Sequence, residues 1–344
     1  MKIAIAIIMF CIIVIVHELG HFLLAKMNGI AVKEFSIGFG PTLIGFTKNE
    51  TKYSIKVIPF GGACIFDDED PEKAEESSFL KASVWARIAV IAAGPIFNFI
   101  LAFIMALFVV GASGYDEPIL RSVMDGYPAQ EAGLQVDDKI LKMGNENVKL
   151  YREVTLYSFL HQNESVEVTY ERDGQKYTTT MNQLFDAEDN RYYYGFSGGA
   201  YVKDSSPLRV LQYSAYEVRF WIKSTLQSIG MIFEGKITKD DVSGPVGITQ
   251  MVGDVYEEAA PAGVSAVVLS MLNIAILISA NLGVMNLLPI PALDGGRLVF
   301  LFIEVIRRKP ISQEKEGMVH FVGLALLMIL MVFVMYNDIM RLFQ

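Results

Sequence analysis

Four long apolar stretches govern what this chain can fold into. A helix needs roughly 20 apolar residues to cross a hydrocarbon core of about 30 Å, and each stretch is long enough. The first covers residues 3–27, interrupted only by a polar cluster near its end. The second, 88–115, and the third, 264–288, carry no charge, and the fourth covers about 317–336. A length of 344 residues would suit two or three soluble domains. Composition points elsewhere, with 52% hydrophobic and 19% charged residues and a mean hydropathy of +0.37. The expected fold class is a polytopic α-helical membrane protein with four transmembrane helices. Lys2 ahead of an apolar run also suits a cleaved leader, but no small-residue cleavage site follows the run. Two isolated cysteines, Cys11 and Cys64, make no disulfide framework. The net charge of −9 argues against a nucleic-acid partner.

Four spans put both termini on one side of the bilayer. The connection 299–316 carries Arg307, Arg308, Lys309 and Lys315, and 28–83 carries Lys33, Lys48, Lys52, Lys56, Lys73 and Lys81. The long segment 114–263 is more acidic than basic and includes Asp137, Asp138, Asp240 and Asp241. Basic connections stay in the cytoplasm, which puts the termini and the acidic segment outside.

His17-Glu18-Leu19-Gly20-His21 closes the first stretch. On a helix, residues four apart share a face, so both imidazoles can reach one zinc ion. Glu18 lies about 100° round from His17, close enough to take a proton from a water at the metal. Ionisable side chains inside an apolar span are costly and usually functional, and three within five residues make coincidence a poor explanation. His17 is 14 residues beyond Ile3, or about 21 Å along a helix, so the pair should lie within the membrane near its cytoplasmic face. A catalytic zinc needs a third ligand. Asp294, in Asn286-Leu-Leu-Pro-Ile-Pro-Ala-Leu-Asp294-Gly-Gly296, is the best candidate. A helix continuous from Val264 would carry it about 45 Å along, past the membrane. Pro289 and Pro291 break that helix, and Gly295-Gly296 permit a tight reversal. Without the histidines, Asp294 would read as a turn facing water.

These residues resemble the site-2 proteases, intramembrane zinc metalloproteases, and among them the bacterial RseP/RasP branch. The matching pieces are, in order, His17 to His21, Gly38-Phe-Gly-Pro41, Pro59-Phe-Gly-Gly62, Gly94-Pro-Ile-Phe-Asn98, a PDZ-like segment, Ser243-Gly-Pro-Val-Gly247 and Asn286 to Gly296. The resemblance implies zinc (Zn2+) on His17, His21 and Asp294, with Glu18 activating water. It also implies that Asn98 and Asn286 hold an unwound substrate strand; an interhelical hydrogen bond is the other reading for each. Residues 33–66 alternate and are rich in aromatic and β-branched types, as strands are. The resemblance makes this a membrane-associated β-hairpin or sheet whose edge pairs with substrate, with Gly61 and Gly62 letting the backbones approach.

Residues 123–134 followed by Asp138-Lys-Ile-Leu141 resemble a protease-associated PDZ domain of about 115–202. Asp137 stands where that pattern has glycine. Two runs, 166–171 and 176–181, joined by Arg-Asp-Gly, read as a hairpin. Residues 207–233 have apolar residues at helical spacing and suit either a helix on the membrane surface or one packed on the PDZ-like segment. His161 and His320 read as structural. The expected organisation is a first half of the membrane core (1–114, with spans at about 3–27 and 86–113), the PDZ-like domain (115–202), an amphipathic linker (203–263) and a second half (264–344, with spans at about 264–288 and 317–337). The PDZ-like domain should be extracytoplasmic.

The resulting expectation is a bacterial plasma-membrane metalloendopeptidase. Its partners would be the lipid bilayer, single-pass membrane protein substrates such as anti-sigma factors or signal-peptide remnants, and an upstream site-1-type protease. A non-catalytic zinc scaffold that binds helices is the rival. Glu18 separates the two, since a structural metal site needs no base.

Overall fold

The computed structural model describes residues 2–66, 77–187, 190–199, 201–204, 206–236 and 243–341. Lys73, Asp240 and Asp241, used above for topology, lie outside them. The element order is α1 (Lys2–Met27), β1 (Val32–Lys48), β2 (Thr51–Phe66), α2 (Val84–Ser113), β3 (Tyr115–Asp116), β4 (Leu120–Val123), α3 (Pro128–Glu131), β5 (Lys139–Met143), β6 (Glu146–Asn147), α4 (Tyr151–Leu160), β7 (Val166–Arg172), β8 (Gln175–Met181), β9 (Leu184–Asp186), β10 (Arg191–Tyr193), β11 (Phe196–Gly198), β12 (Tyr201–Val202), α5 (Pro207–Phe233), α6 (Pro245–Ala259), α7 (Val264–Leu287), α8 (Asp294–Arg307) and α9 (Gln313–Arg341). Among the described residues, four helices are long and apolar enough to cross a membrane: Ile3–Met27, Val84–Ser113, Val264–Leu287 and Glu314–Arg341. The chain forms two compact units, 106–224 and the remainder.

In the larger unit, small residues let the helices approach closely. A Cβ on Gly20 of α1 would stand 2.8 Å from the carbonyl carbon of Ala93 and 2.9 Å from the Phe97 ring, both on α2. One on Gly283 of α7 would meet the Phe99 ring of α2 at 2.6 Å. Ala25, Val90, Ile91, Leu298 and Leu301 form a shared core at one end of α1, α2 and α8. Arg87 of α2 pairs with Glu304 of α8 at 2.5 Å. Asp338 of α9, buried, accepts from the amides of Gly244 (3.1 Å) and Gly247 (2.9 Å) and so caps the start of α6.

The strands β1 and β2 turn at Asn49-Glu50, both in the left-handed region with φ of 48° and 64°, as a two-residue hairpin of this hand requires. Both strands bend. Residues 34–37 pair with 52–55 on one side and with 62–65 on the other, while 42–48 return along 51–56. The result is four ladder segments in which 62–66 lies at an edge. Phe39, Leu43, Ile44, Phe46, Val57 and Ile58 leave the hairpin's far end apolar and exposed.

The stretch 299–316, expected as a connection, is helical as far as Arg307. Leu298 and Leu301 bury one face of that helix and Glu304 finds Arg87, which is why these residues fold rather than loop.

The unit 106–224 has its own core. A four-stranded sheet in the order β6-β5-β7-β8 buries Ile140, Met143, Val166, Val168 and Tyr170 with Leu120 and Val154. The hairpin read from 166–181 is present, turning at Asp173-Gly174. Asp138, fully buried, accepts from Arg172 Nε at 2.6 Å and Nη2 at 2.7 Å. Asp137 has φ of 71°, the left-handed backbone that explains why glycine is the common choice there. Between the two readings of 207–233 the contacts decide: Tyr213 stacks on Tyr115 with centroids 3.5 Å apart, and Phe220 joins the core of Val110 and Leu150. The amphipathic face of α5 therefore packs on this unit, which extends to residue 224 rather than stopping at 202. His161 stacks on Tyr157, a structural contact.

Candidate metal centre

The last third of α1 presents His17 and His21 on one face, both buried. His21 Nδ1–H donates to the Val90 carbonyl of α2 at 2.8 Å. That bond fixes the tautomer and leaves the Nε2 lone pair free, the usual support of a metal-ligating histidine. His17 Nδ1 faces the Asn98 amide at 3.1 Å.

Asp294 reaches both rings. The α7 helix ends at Leu287, ahead of Pro289 and Pro291, and α8 begins at Asp294 itself. The reversal is tight. A Cβ on Gly296 would stand 3.0 Å from the Ile290 carbonyl carbon, and one on Gly295 about as close to the Leu287 and Leu288 carbonyls or closer. Ala292 sits in the left-handed region with φ of 74°, a strained choice for alanine. Its amide donates to His320 Nδ1 of α9 at 2.8 Å. His320 is thus a structural residue, but of the ligand loop.

The three candidate ligand atoms form a triangle. His17 Nε2 to His21 Nε2 is 3.2 Å, His17 Nε2 to Asp294 Oδ2 is 3.1 Å, and His21 Nε2 to Asp294 Oδ2 is 3.4 Å. Ligands at about 2.0–2.1 Å around tetrahedral zinc are separated by about 3.3 Å. Asp294 Oδ2 is also buried without a conventional hydrogen bond among the described residues, as an atom shaped for a cation would be. The residues fit zinc. Gly94 leaves the room: a Cβ there would lie 2.6 Å from His21 Cε1, 2.7 Å from His17 Nε2 and nearer still to His21 Nε2.

Glu18 faces the edge of β2. Its Oε2 accepts from the Cys64 amide at 2.9 Å, and Gly62 leaves its neighbourhood clear, since a Cβ there would be 3.3 Å from Glu18 Cγ. Gly62, Cys64 and Phe66 line one small cavity with His17, Glu18, His21, Asp294 and Arg297, of about 210 Å³. Burial, with Glu18 adding to it, pushes the Cys64 thiol up to about 12.

The expected substrate residues are placed differently. Asn98 is fully buried against His17. Asn286 lies in the last turn of α7, half-buried, and its side chain makes no hydrogen bond among the described residues. Gly61 has φ of 84° and sits against the Phe39 ring. Gly94 and His320 are the two supporting residues that the sequence did not single out as part of the site. Their roles are close approach and a bond to one main-chain amide; Gly94 opens one of the motifs of the resemblance, but neither role can be read from the motif.

The family model for peptidase family M50 matches residues 5–330. The chain is 34% identical to the zinc metalloprotease RasP of Bacillus licheniformis, covering 98% of both chains. It is 32% identical to the regulator of sigma-W protease RasP of Bacillus subtilis, again over 98% of both. A zinc metalloprotease RasP of Shouchella clausii is 34% identical over 97% of this chain and 98% of its own. Among solved structures, the PDZ domain of the SdrC-like protein from Listeria monocytogenes matches 24% of this chain and 88% of its own, at 20% identity and a TM-score of 0.22. The chain belongs to peptidase family M50, the site-2 proteases, and is a metalloprotease.

Proposed function

We propose that this metalloprotease is an intramembrane zinc endopeptidase that cleaves transmembrane segments of single-pass membrane proteins in the bacterial plasma membrane. The observation that carries the reading is the triangle of His17 Nε2, His21 Nε2 and Asp294 Oδ2, with edges of 3.1–3.4 Å, two of whose corners stand on an apolar helix that also carries Glu18. Zinc bound there would polarise the scissile carbonyl and lower the pKa of a water. Glu18, held through Oε2 by the Cys64 amide, takes the proton of the attacking water on its other oxygen and passes it to the leaving nitrogen.

A helical substrate hides its peptide bonds in i→i−4 hydrogen bonds and must unwind first. The edge segment 62–66 lines the metal cavity and suits an added strand. Gly62 leaves that edge clear beside Glu18, and the Asn286 amide, in the last turn of α7, is suited to hold substrate main chain. The basic connections support a cytoplasmic-side site. The segment 115–202, read as a PDZ domain outside, would exclude bulky ectodomains, so that an upstream protease must trim the substrate. The Bacillus subtilis relative is named a regulator of sigma-W, which supports membrane-tethered anti-sigma factors as substrates; signal-peptide remnants present the same chemistry.

The test is a purified single-pass reporter helix offered to wild type and Glu18→Gln in the same vesicles. Wild type should cut within the helix. The variant should keep its zinc and lose about 10²–10⁴ in rate. Cleavage at the wild-type rate in that variant would overturn the mechanism.

A further inference from the structure

We infer that Asn98 is a positioning residue for the metal centre, one whose side-chain amide selects the His17 tautomer able to bind zinc. The inference rests on the metal reading above and extends it to the ring atom that faces away from the metal.

Asn98 is fully buried on α2, one turn beyond Gly94, the residue that makes room for both rings. Its main chain is anchored from α7, where Ser279 Oγ donates to the Asn98 carbonyl at 2.8 Å. Its amide group meets His17 Nδ1 at 3.1 Å. A neutral imidazole carries one proton, so what happens at Nδ1 decides whether Nε2 has a lone pair for a cation. His21 shows the arrangement a ligand needs, with Nδ1–H donating to the Val90 carbonyl. The Val90 carbonyl serves His21 alone of the two ligands, and the group placed to serve His17 is Asn98.

The amide can meet Nδ1 in two ways. With Nδ2 turned to the ring, Nδ1 must accept, and the His17 proton sits on Nε2, between the ligand atoms, with Asp294 Oδ2 at 3.1 Å and His21 Nε2 at 3.2 Å. In that state Asn98 Oδ1 is buried without a partner among the described residues. A half-turn of the amide exchanges its oxygen and nitrogen with almost no change of shape. Oδ1 then accepts from Nδ1–H, the proton leaves Nε2, and Nε2 joins His21 Nε2 and Asp294 Oδ2 as a free donor. The first state suits the protein without metal, because the Nε2 proton then occupies the space between the ligand atoms, beside the aspartate. The second suits zinc. Metal binding is thereby coupled to one amide rotation, and Asn98 acts on the chemistry only through His17.

A residue that instead held substrate would change substrate affinity and leave the metal alone, so the two roles are separable. Zinc affinity of the full-length protein in detergent is measured by competition with a chelator, for wild type, Asn98→Leu and Asn98→Asp. The cobalt absorption spectrum of each is recorded alongside. Asn98→Leu removes the acceptor at nearly constant volume and should weaken zinc binding by about 10–100-fold. Asn98→Asp keeps an acceptor for Nδ1–H but has no N–H for a substrate carbonyl; it should retain wild-type zinc affinity and the wild-type cobalt spectrum. Wild-type zinc affinity in Asn98→Leu with a raised KM would overturn the inference in favour of substrate binding. Equal loss of zinc in both variants, with metal-free melting temperatures unchanged, would overturn it too. His17→Ala is the control for the underlying reading: if it binds zinc as tightly as wild type, the metal assignment itself fails, whatever Asn98 does.

Discussion

Gly94→Ala is the smallest change that should destroy the metal centre while leaving the fold intact. In an ordinary helix interior, replacing glycine with alanine stabilises by about 1 kcal/mol, and Gly94 lies inside α2. Here the added Cβ would stand 2.6 Å from His21 Cε1 and 2.7 Å from His17 Nε2, some 0.7–0.8 Å inside the 3.4 Å at which ordinary contact begins. Both obstructing atoms are ends of side chains, so in the metal-free protein the rings can swing aside. They cannot do so and still bind zinc, whose ligand distances tolerate about ±0.2 Å. The two effects have opposite signs. Metal-free Gly94→Ala should melt no lower than the wild-type metal-free protein, while its zinc affinity falls by at least about 100-fold, some 2.7 kcal/mol. Chelator competition and thermal melting on the same preparation measure both. Wild-type zinc affinity in Gly94→Ala would refute the placement of the two histidines against α2.

Three further outcomes are expected. His320→Leu removes the acceptor of the strained Ala292 amide; zinc affinity should fall roughly two- to tenfold, with His320→Gln restoring part of it. Asp138→Ala removes the buried acceptor of both Arg172 and the Gln135 amide and should destabilise the unit 106–224 by about 1–3 kcal/mol with zinc affinity unchanged, as denaturant titration followed by tyrosine fluorescence would show. Glu217 is buried, and burial, with Asp116 and Glu153 nearby, lifts its carboxyl from its ordinary 4.5 to about 7 against the pull of Arg152. The folded state then holds the proton more tightly than the unfolded one, so its contribution is complete below about pH 4.5 and is lost as pH rises to about 7; Glu217→Gln should flatten that part of the melting profile.

Much of the site was legible because its logic is local. His17, Glu18 and His21 are a single helical turn, and the bilayer makes their charge conspicuous. Asp294 was legible at long range because the histidines call for a third ligand, Pro289 and Pro291 stop one helix ahead of two glycines, and above all because the family resemblance assigns it. The supporting residues were not. Gly94 matters for the space its missing side chain leaves to rings on another helix, and nothing within its own helix says so. His320 acts on a main-chain amide that any residue could have supplied. Asn98 stood out as a polar residue in an apolar span, but only its distance to Nδ1 connects it to the metal rather than to substrate. The strands of 32–66 were legible as strands; the double pairing of 34–37, which makes 62–66 an edge, depends on bends that alternation does not encode. Helix α8 was hidden by its basic end, which read as a connection, although Leu298, Leu301 and Glu304 share the face it buries.

The most direct measurement is zinc K-edge X-ray absorption on the purified wild-type protein and on Asp294→Ala. Wild type should hold one zinc with only nitrogen and oxygen neighbours at about 2.0–2.1 Å and the outer-shell scattering of two imidazoles. Asp294→Ala should lose affinity, and whatever zinc it retains should keep both imidazoles. A sulfur neighbour at about 2.3 Å, which Cys64 in the same cavity could supply, or a wild-type first shell unchanged by removal of Asp294, would contradict the assignment.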